Sequence, residues 1–149
     1  MLRRCADKMK TPQILLSMLI LLSASCTSSE EVKSAARDAA TRALFTQIIT
    51  SIEYYEVEYD TPILASDSIE LADVLEGKNK RKIFFYSFDD GKRNQAGEII
   101  DAHGNPIKVR NQDGQITLYS NGKNGIMDSA PSTDDIVMHY KTTKHNQSE

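Results

Sequence analysis

Ile48-Ile49-Thr50-Ser51-Ile52-Glu53-Tyr54-Tyr55-Glu56-Val57-Glu58-Tyr59-Asp60-Thr61-Pro62 decides the fold of this chain. Ile48, Ile52, Tyr55 and Tyr59 recur every three or four residues, the spacing of one helix face. Pro62 ends the pattern, because proline disfavours helical geometry in the residue before it. Upstream, the same stripe continues through Leu44, Ala40, Ala36 and Val32, broadened by Ala35, Ala39, Ala43 and Ile49. Lys33, Arg37, Arg42, Gln47 and Glu53 occupy the opposite face. Ser28 and Glu31 stand three apart and read as a capping box. The spacing therefore predicts one helix from about Ser29 to Tyr59. It is longer than most globular helices and suits a spine with smaller elements folded against one side. The alanine-rich first half faces either the domain's own core or a partner helix.

Downstream, Ser66 or Ser68 is expected to cap a short helix over Ile69–Glu76, with Ile69, Ala72 and Leu75 on its apolar face and Gly77 as its stop. Lys78-Asn79-Lys80-Arg81-Lys82 reads as a solvated loop. The period then changes. Ile83-Phe84-Phe85-Tyr86-Ser87-Phe88 suits a strand or an extended packing segment, and Glu98-Ile99-Ile100-Asp101 a short extended piece. Ile107–Arg110 and Gln115–Ser120 alternate around Asp113-Gly114, a strong hairpin signal. Ile136-Val137-Met138 is the last apolar strip, and Lys141–Glu149 is a polar tail expected to be disordered. The expected class is α+β, a long N-terminal helix packed on a three- or four-stranded antiparallel sheet.

The first 26 residues carry a different message. Arg3, Arg4, Lys8 and Lys10 precede the apolar block Ile14–Leu22, and Ser23-Ala24-Ser25 precede Cys26. That is the layout of a bacterial export signal. Nine helical residues rise about 14 Å, less than half of a bilayer's core of about 30 Å. A leader over 1–25 with lipidation of Cys26 is the expectation; the plainer alternative is an ordinary secretory signal cut after Ala24 or Ser25. Ser23 stands where a lipobox usually has Leu. Thr27 follows the cysteine, so the common Asp signal for inner-membrane retention is absent. The expected place is the cell envelope, lipid-anchored in the outer membrane and facing the periplasm or the cell surface. Cys5 falls in the leader, so no disulfide is expected after Cys26.

A chain of 149 residues, less such a leader, supports one modest core over residues 26–140. The leader holds four cations and one anion, so the remainder is more acidic than the formal −3 of the whole. Without a continuous basic stripe, nucleic acid is not an expected partner. His103, His139 and His145 lack metal-pair spacing and read as surface or packing residues. There is no Gly-x-Ser-x-Gly elbow and no phosphate loop. An enzyme is not expected.

The order of these turns resembles the type IV pilin-like fold, most closely the major pseudopilins of type II secretion systems. The aliphatic-then-tyrosine helix end with its acidic turn and Pro62 is one match. Asp101-Ala102-His103-Gly104-Asn105-Pro106 is similar to the family's Asp-Pro-Trp-Gly-Asn-Pro turn. Tyr119-Ser120-Asn121-Gly122-Lys123-Asn124-Gly125 with Asp134-Asp135-Ile136 resembles its glycine loop and closing Asp-Asp-Ile. Leu71-Ala72-Asp73-Val74-Leu75-Glu76-Gly77-Lys78-Asn79 is similar to a Leu-Thr-Gly-Lys-Asn element of some members. The chain departs from the family at its start. The Gly-Phe-Thr-Leu-type processing site and the long apolar helix half are missing, and a lipid would stand in for them.

The resemblance implies a structural component of a type II secretion or pilus-like envelope machine. Its partners would be other pseudopilins or secretion subunits, with the membrane reached through the N-terminal lipid. The alternative is a free-standing surface lipoprotein using a pilin-like head to bind a protein or glycan. Asn124, Asp128, Asp134 and Asp135 offer the hard oxygens that calcium takes six to eight of. The resemblance implies calcium in this loop, with carbonyls of Asn121 and Ser132 completing the shell. Asn124 takes the place of the family's first Asp, which removes one charge.

Overall fold

The computed structural model describes residues 29–89, 91–127 and 134–142. Cys26, Ser28, Asp128, Ser132 and the tail from 143 lie outside the described residues. The chain divides into two compact units at Ser34/Ala35; of the first, only Ser29–Ser34 is described.

The long helix, α1, spans Ser29–Tyr59, a rise of about 46 Å over 31 residues. Its buried residues begin at Thr41 and continue through Leu44, Phe45, Ile48, Ser51, Ile52 and Glu56. Of the two alternatives for the alanine-rich first half, packing on the domain's own core is therefore not what the described residues show. Val32 is 63% exposed, and Ala36 and Ala40 are exposed too. Alanine propensity favours that exposed stretch as helix, helped by the Glu30–Lys33 ion pair. Asp60 ends α1 at φ 53, a left-handed stop ahead of Pro62.

The second helix, α2, spans Ser68–Leu75. Its cap is Asp67, not Ser66 or Ser68. The Asp67 carboxylate accepts from Glu70 N at 2.8 Å, while Ser66 N and Oγ both donate to Glu70 Oε2. Asp67 thus caps Glu70 N while the Glu70 carboxylate reaches back to Ser66, a variant of the capping box. Gly77, at φ +97, lets the chain leave the helix where a Cβ would press on the Phe84 ring. Asn79 then fixes the cationic loop: its amide donates to Val74 O and Ile83 O, and its Oδ1 accepts from Ile83 N and the Tyr59 hydroxyl. Arg81 pairs with Glu58, and Lys78 with Asp73. The four cations of this loop are exposed, as expected of a solvated loop, and the loop is also tied to both helices.

Residues 83–88 form the extended packing segment rather than a strand. Phe85 N and Tyr86 N both donate to Leu75 O, and the Phe85 ring meets Tyr55 edge-on at 5.5 Å. Glu98–Asp101 is held by two isolated bridges, Arg93↔Ile99 and Ile100↔Pro106.

Three strands follow, β1 (Lys108–Gln112), β2 (Gln115–Ser120) and β3 (Ile136–Lys141), in the spatial order β1-β2-β3. All pairs are antiparallel. Asp113 (φ 51) and Gly114 (φ 71) make the two-residue turn, with positive φ at both central positions as the strand twist requires. One sheet face sends Ile116, Leu118, Ile136 and Tyr140 into a core shared with Phe45, Ile48 and Ile52 of α1 and with Leu71 and Leu75 of α2. The long helix thus packs on a small antiparallel sheet, an α+β fold. Each large side chain so buried contributes about 1.5–3 kcal/mol.

Candidate functional site

The candidate site grows from the end of β2. Ser120 Oγ donates to Asp101 Oδ2 at 2.5 Å and accepts from Gly122 N at 3.1 Å. Asp101 is 4% exposed, and its Oδ1 also accepts from His103 N and Asn105 N. Asn105 in turn donates to Gly122 O at 2.7 Å. The Asp101–Pro106 turn and the Asn121–Gly125 loop, quoted above as separate motifs, are therefore one hydrogen-bonded unit. The unit is also bound to α1: Ala102 N donates to Thr41 Oγ1, and His103 Nε2 lies 2.7 Å from Asp38 Oδ1. His103, with 3% of its side chain exposed, is the packing residue expected for it.

Gly122 closes the loop against Asp134. It sits at φ +58, and a Cβ there would overlap the Asp134 carbonyl oxygen. No residue but glycine fits this approach. Asn124 N donates to Asp134 Oδ2 at 3.1 Å, and Asn124 Nδ2 reaches Asp134 Oδ1 at 3.4 Å. Asn124 Oδ1 accepts from Ile126 N at 2.7 Å. Asn121 Nδ2 donates to Gly125 O at 3.2 Å.

The structure thus brings Asn121, Asn124 and Asp134 together, with Asp135 next in the chain. Asp135 Oδ1 is buried with no hydrogen-bond partner among the described residues. A buried carboxyl oxygen without a donor is costly and is the kind of group that a cation or an ordered water satisfies. Asn124 meets Asp134 through its N–H groups, so in this arrangement it performs part of a cation's task. A carboxylate at 124 would instead oppose Asp134. Asp128 and Ser132 fall outside the described residues. Among the described residues, no group of three or more His, Cys, Asp or Glu is arranged to hold a metal ion. No helix among them is long and apolar enough to cross a membrane.

The sequence reading missed the second buried carboxyl, Glu56. It is 1% exposed on the core face of α1. Tyr140 donates to its Oε2 at 2.8 Å, and its Oε1 has no partner among the described residues. Burial, followed by the hydrogen bond and charge of Glu56, pushes the Tyr140 hydroxyl far above the ordinary tyrosine range. One signal was available: Glu56 stands four residues after Ile52, on the stripe itself.

The chain matches none of the known protein-family models, curated proteins or solved structures with which it was compared.

Proposed function

We propose that this chain is a pseudopilin-like structural component of a type II secretion or pilus-like envelope machine, lipid-anchored through Cys26 and acting by surface contacts rather than turnover. The observation that carries the reading is one hydrogen-bonded unit made of two turns. Asp101–Pro106 and Asn121–Gly125 are joined through Asp101, Ser120 and Asn105, and tied to α1 at Thr41 and Asp38. Those turns carry two of the sequence resemblances, and the order of long helix, short helix, hairpin and closing strand is compatible with a pilin-like head. The exposed alanine-rich start of α1 is the part that a neighbouring subunit would cover. Calcium, in this reading, would be held by Asn124, Asp128, Asp134 and Asp135 with carbonyls of Asn121 and Ser132, and the partnerless Asp135 oxygen supports it.

Cross-linking of the affinity-tagged full chain in its own cells, with mass spectrometry of the captured partners, tests the proposal. Pseudopilins or secretion subunits among the partners, and lower protein secretion on deletion, are expected. Capture of surface proteins or glycans alone, with secretion intact, would replace it with the free-standing lipoprotein reading.

A further inference from the structure

The solvent face of the sheet gathers charges that the sequence scatters. The registers align Lys108 with Tyr119 and Val137, Arg110 with Thr117 and His139, and Gln112 with Gln115 and Lys141. Lys108, Arg110 and Gln112 are exposed on β1, and Val137, His139 and Lys141 on β3. No Asp or Glu occurs in any of the three strands. Yet the whole chain is formally −3, so this face opposes the sign of the molecule.

Neighbouring strands lie about 4.8 Å apart, so the two cations of β1, Lys108 and Arg110, and the one of β3, Lys141, lie on lines about 10 Å apart. Between them β2 presents Gln115 and the half-buried Tyr119, groups that hydrogen-bond without net charge, while Thr117 is 6% exposed. Part of this surface is a cavity of about 320 Å³ lined by Arg110, Gln112, Asp113, Gln115, Thr117, Tyr119 and His139. Arg110 sits 5.6 Å from the centre of the Tyr119 ring, and Thr117 Oγ1 lies 3.0 Å from His139 Nδ1. Both contacts hold the lining side chains in place.

We propose that this face binds an acidic polysaccharide laid along β2, its anionic groups taken by Lys108 and Arg110 on one side and Lys141 on the other, its hydroxyls by Gln112, Gln115 and His139. Three cations against Asp113 leave the face positive, which favours an anion, and cations on both sides of a neutral trough fit an extended chain carrying charge on both flanks. Amide, hydroxyl and imidazole groups suit hydroxyl-rich sugar. Nucleic acid would ask for open aromatic rings to stack on. Here the one ring, Tyr119, is half-buried and faces Arg110. A membrane surface would ask for apolar side chains to insert, and Val137 alone offers one. The inference needs only the sheet and stands apart from the secretion reading.

Affinity electrophoresis of the full chain through gels carrying polygalacturonate, beside gels carrying neutral dextran, tests it. Polygalacturonate should retard the protein, dextran should not, and the retardation should fall as salt rises. Arg110→Ala with Lys141→Ala should weaken binding about tenfold with an unchanged melting temperature. Should that pair lose its fold, Arg110→Gln with Lys141→Gln, which keeps polar side chains, carries the same expectation. Lys80→Ala with Lys82→Ala, in the other cationic segment, should leave binding intact. The proposal is overturned by no retardation, by equal retardation in dextran, by full binding in the sheet variants, or by loss in the Lys80/Lys82 variant. Equally tight binding to single-stranded DNA or phosphatidylglycerol vesicles would overturn it too.

Discussion

Tyr140 on β3 donates its hydroxyl to Glu56 on α1 across 84 residues of sequence, inside the core that joins helix to sheet. The bond is the only one to either Glu56 oxygen among the described residues, and it ties β3 to the helix inside the core. It also leaves the fold dependent on a neutral tyrosine.

Tyr140→Phe should cost about 1–3 kcal/mol, because it leaves both buried Glu56 oxygens without a donor. Glu56→Gln keeps an acceptor for Tyr140 and adds a donor, and should be at least as stable as the parent. Urea melts of the three proteins check the order.

The same pair sets an alkaline limit. The folded state raises the Tyr140 hydroxyl above its ordinary value of 10.0. A raised value means stability that is fully present below that ordinary value and is lost as pH climbs above it. Burial raises Tyr55 in the same direction. Melting temperature should therefore fall steeply above pH 10, and Tyr140→Phe should show a shallower fall. Equal slopes would assign the alkaline loss elsewhere.

Calcium, if it binds the folded loop alone, stabilises by about 2.7 kcal/mol at a hundredfold excess over Kd. Chelator should lower the melting temperature, and Asp134→Ala or Asp135→Ala should remove the response. Asn124→Asp replaces the N–H groups facing Asp134 with a second carboxylate. That variant should be less stable than the parent in chelator and gain more from calcium. Calorimetric melts with and without the ion decide this.

Gly122 and Gly91 separate two costs of a left-handed backbone. Both have positive φ, but a Cβ at Gly91 meets nothing within 4 Å, whereas one at Gly122 runs into the Asp134 carbonyl. Gly91→Ala should cost about 1 kcal/mol and Gly122→Ala about 3 kcal/mol or more. Similar losses in denaturant titrations would mean that the loop yields freely.

Mass spectrometry of the native protein should find a thioether-linked diacylglyceryl group on Cys26 at the new N-terminus. Cys26→Ser should leave an unprocessed or soluble form. An unmodified cysteine, or a start at another residue, would remove the anchor from the proposal.

The sequence by itself determined the elements. The 3.6-residue stripe into Tyr59, the proline after it, Gly77 and Asp113-Gly114 are local instructions, each acting within a few residues, so α1, α2 and the β1–β2 hairpin were legible with nearly the observed bounds. What it did not settle is what each face meets. The stripe runs from Val32, but burial begins at Thr41, because the first turns of α1 have nothing described packed on them. Asp67 capped α2 in place of its serine neighbours, because one position places the carboxylate on Glu70 N. Asp101, a mere turn residue in sequence, became the hub of the candidate loop through Ser120, 19 residues on. The buried Glu56, the partnerless oxygen of Asp135 and the cations gathered on one face of the sheet came only with the tertiary structure. Burial and cross-strand register depend on residues far apart in the chain, and local periodicity carries no information about which distant side chain will stand opposite.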